Sequence, residues 1–471
     1  MKEILDLDAT SLAQKIKARE LSSFEATRTY IEHLERANPK INALVEERFE
    51  QAIAEAKKCD EQTKEDVGLL HGVPISMKES FHVAGMKTTG GLLARKNHIE
   101  KEDAEVVHRL KKEGAIILGK TNTPTLCFCQ ETDNKLYGRT NNPWNLERTA
   151  GGSSGGEGAL IAIGGAAVGV GSDIGGSIRF PAHFNGVVGF KSGAHQVSQE
   201  GHFLYIEDPY QQEMLGMGAL AKSVADAELI HRIIQKEPSQ TPDLSQFQFH
   251  IPPPHPLFPV NTETTQLLDQ VRTFYADSYH VSEKQPPYLE QVALLWQWIM
   301  SIDGAKSVAQ AAFENQKKSV TGEWLKEKLF HNSDYHAYLT WALIGANLFQ
   351  PGSKQMEQLK KELTEAKQAM EAYLKNRILI LPVYHCAAPS HGQVYKEIFS
   401  IRKTYLKYLP YVALANTLGL PSLTLPVGVD QEGMPIALQW ITACGQEEAL
   451  FFFARLAEED FRGYVRCTFY D

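Results

Sequence analysis

The residues best suited to do chemistry crowd into residues 151–190. Two serine-bearing glycine clusters, Gly151-Gly152-Ser153-Ser154-Gly155-Gly156 and Gly175-Gly176-Ser177, bracket a run of small residues whose only charges are Glu157 and Asp173. Glycine loses more backbone freedom on folding than any other residue, so it collects where the chain must take φ > 0 or approach a ligand closely. Backbone N–H groups and serine hydroxyls are therefore expected to be turned on something here, either an anion to be cradled or a carbon to be attacked. Two short patterns offer those chemistries. Gly114-Ala115-Ile116-Ile117-Leu118-Gly119-Lys120-Thr121 fits GxxxxGKT, but its intervening residues read as an apolar strand and no helix pattern starts at Lys120; a phosphate loop needs an open loop followed by a helix. GxSxG occurs at 151–155 and again at 152–156, yet the polar residues 145–150 before it cannot form the apolar strand that a nucleophile elbow follows. A plain glycine-rich turn remains an alternative for the cluster taken alone.

The elements around the cluster predict an α/β fold. Residues 73–78 alternate, which puts Ser76 and Lys78 on one face of a strand and Ile75 and Met77 on the other, with Glu79 directed away from Lys78. A helix over 104–113 ends at Gly114 and a strand follows over 115–118. The glycine-rich stretch 158–171 reads as a buried helix followed by a strand. Residues 1–60 read as helices; Ser22 and Glu25 make a capping box for one expected to stop before Pro39. Residues 223–235 form a capped helix. Residues 238–261, with four prolines at 252, 253, 254 and 256, read as a linker. Helices are expected over 289–300, 305–318 and 355–375, with an aromatic stretch at 338–349 among them. Strands at 377–382, 422–429 and 435–441 and a helix over 447–459 close the chain, the last two strands pairing through the turn at 430–433.

The chain has 471 residues, 43% hydrophobic and 22% charged, with a net charge of −9. No basic block stands out, which disfavours nucleic acid as a partner. The six cysteines include no CxxC pair, and Cys127 and Cys129 are too near each other to bridge, so free thiols in a reducing, cytoplasmic setting are expected. No signal peptide is apparent, and no apolar run reaches the ~18 residues of a spanning helix. The 16 histidines contain no HExxH, and the pairs His250/His255 and His331/His336 are off one helical face. No metal and no cofactor are expected.

Taken in order, GVPISMKES at residues 72–80, the paired glycine–serine clusters and SDIGGSIRFPA at residues 172–182 together resemble the amidase signature family. The similarity runs from residue 72 through Lys191, and resumes at LPVYHCAAPSH from Leu381, at ANTLGLP from Ala415 and in the strand from Pro435. GGSSGGEGALI, SDIGGSIRFP, the aromatic helical insert and residues 461–465 are most similar to its fatty-acid amide hydrolase branch. Lys191-Ser192-Gly193 and Met217-Gly218-Ala219 depart from the usual proline–threonine and glycine–proline, which bears on pocket shape. The resemblance implies one amidase domain over 1–471, a mixed central sheet surrounded by helices: 1–60 N-terminal helices, 68–235 signature core, 263–375 helical insert on the substrate side, and 376–471 C-terminal strands and helix.

It further implies hydrolysis of a carboxamide of an apolar or fatty acyl group through an acyl-enzyme. Ser177 would be the nucleophile, Ser153 (after a cis Gly152–Ser153 bond) the bridge, and Lys78 the base that later protonates the leaving amine. Such a lysine must rest neutral, which burial without a carboxylate partner can enforce. The N–H groups of Ile174, Gly175, Gly176 and Ser177 would form an oxyanion hole, Ser154 would support the network, and Arg179 and Asp173 would be structural partners. Cys127 and Phe128 fall where the family lines its cavity, with ordinary core packing as the alternative. The expected partner is a small-molecule amide. The insert at 289–349 and its aromatics (Trp296, Trp298, Trp324, Tyr335, Tyr338, Trp341, Phe349) could line an acyl channel, touch a membrane surface or simply pack, and a homodimer is open. Alternatives are a glutamine-hydrolysing component of a tRNA-dependent amidotransferase, a generic small-amide or aryl-acylamide amidase, and a catalytically silent binding protein.

Overall fold

Lys78 sits at the end of a strand whose neighbours on both sides run the same way, and the rest of the sheet follows from that arrangement. The computed structural model describes residues 2–62, 67–239, 241–314 and 318–471. Its strands are β1 Leu44–Glu47, β2 Pro74–Lys78, β3 Ile116–Thr121, β4 Asn141–Asn142, β5 Asn145–Thr149, β6 Val168–Asp173 and β7 Val188–Lys191. They continue with β8 Gly216–Ala221, β9 Gln248–His250, β10 Val281–Ser282, β11 Arg377–Pro382, β12 Ser422–Val429 and β13 Pro435–Ile441. Eleven of them form one mixed sheet in the order β1-β3-β2-β6-β8-β7-β12-β13-β11-β9-β10, while β4 and β5 pair separately. Helices surround it, in the α/β architecture expected.

β2 pairs in parallel with β3 and with β6, and Met77 lies beside Val170. Lys78 therefore leaves the sheet next to Ser172 and Asp173 at the carboxyl ends of parallel strands, where open sheets build ligand sites. Burial on both faces explains the apolar strands of this half. Ile75, Met77, Val168 and Val170 pack in one cluster with Leu160 and Ile161 of the helix Gly155–Ala162. A second cluster joins Phe180 and Phe184 to Trp296, Leu379 and Leu381. A third, smaller one gathers Leu92, Leu126, Phe313, Tyr335 and Leu339 beneath the insert.

Five sequence expectations change. The helices expected over 1–60 are interrupted by β1, whose Leu44 is buried and which pairs antiparallel with β3. The helix expected to stop before Pro39 runs Ser23–Ile41 with Pro39 inside its last turn. Near a C-terminus a proline removes only one intrahelical bond, and Asn38 makes up for it by accepting from the N–H groups of Ala43 and Leu44 at 2.9 and 2.8 Å. The stretch 238–261 is more than a linker: Phe247, Phe249 and Ile251 are buried, and β9 pairs in parallel with β11. That period-two apolar pattern was masked by the prolines beside it. The strand expected at 115–118 extends through Gly119-Lys120-Thr121, so the GxxxxGKT residues are sheet and Lys120 Nζ donates to Thr88 Oγ1 at 2.7 Å. The helix expected over 305–318 is Lys306–Ala312; residues 315–317 lie outside the described residues. The other insert helices are Thr262–Ala276, Val292–Met300, Val320–Phe330, Ala337–Leu348 and Ser353–Leu374. Among the described residues no helix is long and apolar enough to cross a membrane.

Candidate active site

Lys78 is fully buried, and its Nζ lies 2.7 Å from Ser153 Oγ and 3.0 Å from Ser172 Oγ. Among the described residues no carboxylate lies within hydrogen-bonding distance of it. Burial pushes its pKa below the ordinary lysine value, opposed by the neighbouring Cys127 thiol and by Asp173 and Glu157. Each of these acids is engaged elsewhere. Glu157 accepts from Ser76 Oγ at 2.5 Å and Thr121 Oγ1 at 2.9 Å, and burial raises its pKa to about 7. Glu79 turns away from the lysine, as strand alternation required, and accepts from Thr89 Oγ1 and the Gly90 N–H at 2.7 and 3.0 Å. The site thus favours a neutral amine at Lys78.

Asp173, at the end of β6, organises the loop that follows. Its carboxylate accepts from the N–H groups of Gly176 and Ile178 at 2.8 and 3.0 Å and pairs with Arg179 at 3.1 Å. Burial alone would raise its pKa, but the guanidinium and its hydrogen bonds outweigh that and hold it well below the carboxylate range. Arg179 reaches on to Val412 O and Gln439 Oε1, both at 2.9 Å, and to Asn416 Oδ1. The pair clamps this loop to the Val412–Gln439 side of the core.

The clamp alters one expectation. The Gly176 N–H is spent on Asp173, so it is not one of the donors facing the cavity, and its φ of +93° produces that turn. The N–H groups of Ile174, Gly175 and Ser177 have no protein acceptor among the described residues. Two side chains fix the intervening peptides: Trp296 Nε1 donates to Ile174 O at 2.9 Å and Gln130 Nε2 to Gly175 O at 3.1 Å. Because a trans peptide points its C=O and N–H in opposite directions, the bond to the Ile174 carbonyl also fixes the direction of the Gly175 N–H. A Cβ on Gly175 would stand 2.7 Å from the Trp296 ring, so the close approach requires glycine there.

The Gly152–Ser153 peptide is cis. Ser153 O accepts from Thr123 Oγ1 at 2.9 Å, the Ser154 N–H donates to Ser177 O at 3.0 Å, and Ser154 Oγ donates to Ser172 O at 3.4 Å. Ser154 is thereby a supporting residue that ties the two serine clusters together. Ser153 and Ser177 line one cavity of about 850 Å³. Their hydroxyls are not within hydrogen-bonding distance of each other; catalytic hydrogen bonds in ligand-free sites are often long until substrate seats them.

The same cavity is lined by Cys127, Phe128, Ile174 and Gly175, as expected, and by insert residues Trp296, Met300, Trp341, Ala346 and Phe349. The other aromatics singled out pack instead. Trp298 and Tyr335 are buried in core clusters, Tyr338 stacks on Tyr395, and Trp324 lies against Trp341. Four residues escaped the sequence reading: Ser172, Glu157, Gln130 and His202. Ser172 and Glu157 stand inside the quoted motifs and could have been caught from their places on β6 and the helix after the first cluster. Gln130 and His202 lie in loops with no periodicity. Among the described residues no group of His, Cys, Asp and Glu is gathered to hold a metal ion.

Comparison with known proteins adds an independent line. A family model described as Amidase matches residues 25–451. Fatty-acid amide hydrolase 2-B of Danio rerio is 33% identical over 490 residues, spanning 98% of this chain and 91% of that protein. Indoleacetamide hydrolase of Bradyrhizobium diazoefficiens is 29% identical over 463 residues, spanning 93% and 84%. A glutamyl-tRNA(Gln) amidotransferase component of a Cyanothece species is 29% identical over 477 residues, spanning 95% and 96%. Among solved structures, a 6-aminohexanoate cyclic dimer hydrolase complexed with substrate superposes with a TM-score of 0.84 at 24% identity, covering 99% of this chain and all of that one; it is a likeness of fold.

Proposed function

The chain belongs to the amidase signature family of amide C–N hydrolases, and on that premise we propose that it hydrolyses carboxamides of apolar or fatty acyl groups through an acyl-enzyme on Ser177. The observation that carries this reading is the buried Lys78 amine 2.7 Å from Ser153 Oγ with no acid among the described residues within hydrogen-bonding reach. Ser177 Oγ attacks the carbonyl carbon and passes its proton to Ser153 Oγ, whose own proton moves to Lys78 Nζ. The N–H groups of Ile174, Gly175 and Ser177 stabilise the oxyanion. The tetrahedral adduct collapses, the relay returns one proton to the leaving nitrogen, and the amine departs. Water then attacks the ester, losing its proton to the same relay, and Ser177 regains a proton as the acid leaves.

The fatty-acyl preference is supported by the printed name of the Danio rerio relative and by the apolar wall that the insert lends the cavity. A membrane-surface contact is supported by Leu329 and Phe330, which are 67% and 73% exposed on the insert helix Val320–Phe330. A second reading, glutamine hydrolysis within an amidotransferase, is favoured by the Cyanothece relative; the aromatic cavity wall speaks against so polar a substrate. The test is hydrolysis of primary amides of increasing acyl length, with glutamine alongside. Rates per KM should rise with length and glutamine should be inert. A flat or falling series removes the fatty-acyl reading, and glutamine turnover replaces it. Labelling by a fluorophosphonate probe, lost in Ser177→Ala, checks the nucleophile.

A further inference from the structure

Beside Lys78, on the wall of the same cavity that Ser153 and Ser177 line, lies a chain of polar groups that the proton relay does not use. Ser172 Oγ is 3.0 Å from Lys78 Nζ, and His202 Nε2 is 3.0 Å from Ser172 Oγ and 3.1 Å from Ser80 Oγ. The other ring nitrogen, Nδ1, faces Leu204 O at 3.3 Å. His202 is buried, and its backbone is stitched to the end of the lysine strand: the Phe203 N–H donates to Ser80 O at 2.8 Å, the His82 N–H to Gly201 O at 2.8 Å. The ring meets Phe81 edge-on at 5.1 Å. Its position is thus set by the same segment that presents Lys78.

The chemistry of these contacts fixes their direction. A carbonyl oxygen only accepts, so Nδ1 carries the proton and donates to Leu204 O. Burial, reinforced by the charge Lys78 would carry, pushes the His202 pKa down to about 3, so the ring is neutral and Nε2 holds a lone pair. The Ser172 hydroxyl must then donate to Nε2, sharing it with Ser80. Its own lone pairs are left to accept an N–H from Lys78. The amine, with one N–H committed to Ser172, presents its lone pair towards Ser153.

We propose that His202 is a positioning residue, which orients the Ser172 hydroxyl as an acceptor and so keeps the lone pair of Lys78 free to take the proton from Ser153. This rests on the Lys78–Ser153–Ser177 reading and extends it. Without an acceptor at residue 202, the Ser172 O–H can swing round and donate to Nζ. That bond would occupy the lone pair and stabilise the neutral amine, a competing partner for the base. The other titratable groups facing Lys78 are the Cys127 thiol, Asp173 and Glu157, and His82 is the one acting on His202 besides the lysine; none of them changes in the variants below.

The consequences separate this role from mere packing. His202→Phe keeps a flat ring but no acceptor. It should lower kcat/KM on an acyl amide roughly 10- to 100-fold and move the acidic limb of its pH profile down by about half a unit or more, because a hydrogen bond to the neutral amine favours that form. Adding Ser172→Ala to that variant removes the competing donor and should raise the rate about 3-fold, whereas the same change in the wild type should lower it. His202→Gln, which offers an acceptor oxygen, should stay within about 3-fold of its own parent, wild type or Ser172→Ala, in each background. An unmoved limb in a folded His202→Phe variant, or a further loss on adding Ser172→Ala, overturns the proposal. Should the phenylalanine variant not fold, the glutamine variant decides: a 10-fold loss that persists unchanged in the Ser172→Ala background overturns it, and near-wild-type rates that keep the wild-type limb support it. Lys78→Met is the control for the underlying reading. If that variant still turns over amides, the relay itself is wrong; if it is dead while the His202 variants behave as wild type, this inference alone fails.

Discussion

The carboxyl end of β2 and β6 and the helical insert share one cavity but are built on opposite plans. Around Lys78 the acids and Ser172 are buried and partnered: Asp173 by Arg179, Glu157 by Ser76 and Thr121, Ser172 by His202. Burial is what lowers the lysine pKa, so that half has little freedom to vary. The insert holds its place with a smaller core, that of Phe313, Tyr335 and Leu339, and leaves Leu325, Leu329, Phe330 and Leu348 exposed. Buried polar groups that are fully satisfied specify one geometry, whereas apolar walls tolerate substitution of similar volume. Under the proposed function, reactivity belongs to the sheet end and acyl selection to the insert.

The sharpest way to break the comparison is to unpair the clamp. Arg179→Met leaves Asp173 as a buried, uncompensated carboxylate and should cost about 3–5 kcal/mol of stability, read as a large fall in thermal midpoint with activity lost alongside. A fall no greater than that of a surface substitution would show the core site to be as forgiving as the insert. Trp296→Phe keeps the packing but removes the donor that holds Ile174 O. It should reduce kcat about 10-fold with KM little changed, since the loss falls on oxyanion stabilisation rather than ground-state binding. A change confined to KM would move Trp296 to the side of substrate selection.

Smaller effects belong to the insert. Ala346→Trp narrows the apolar wall and should lower kcat/KM on long-chain amides about 10-fold while leaving short-chain amides within about 3-fold; equal losses at every length would contradict the division of labour. Replacing Leu329 and Phe330 by glutamate should leave hydrolysis of a soluble short-chain amide within about 2-fold and weaken cosedimentation with phosphatidylcholine vesicles. Unchanged cosedimentation would leave those side chains without a membrane role.

The same two regions differ in how legible they were from sequence. Near Lys78 the alternation of residues 73–78, the paired serine clusters and the ordered motifs gave the strand, the facing of Ser76 and Lys78, and the residues that meet at the cavity, because short-range pattern and tertiary position agree there. What escaped was long-range. Nothing local says that the Gly176 N–H is committed to Asp173, or that a loop histidine at residue 202 returns to Ser172. In the insert, aromatic content alone could not say which rings face the cavity; Trp296, Trp341 and Phe349 do, while Trp298, Tyr335 and Tyr338 are spent on packing. The strand at 248–250 was hidden because prolines outweighed a three-residue alternation.

The central claim is that Lys78 rests uncharged and carries protons to and from the leaving nitrogen. It is tested most directly by measuring kcat/KM against pH for a matched acyl amide and acyl ester, in the wild type and in Lys78→Met. An amide must be protonated on nitrogen to depart, whereas an alkoxide needs far less help. The wild type should lose activity as pH falls through the depressed lysine pKa, with its acidic limb well below the ~10.4 of a free lysine. Lys78→Met should abolish that limb and cut the amide rate by roughly 10²–10⁴, well beyond its effect on the ester. Equal losses on the two substrates, or an acidic limb that survives without the amine, would contradict the account.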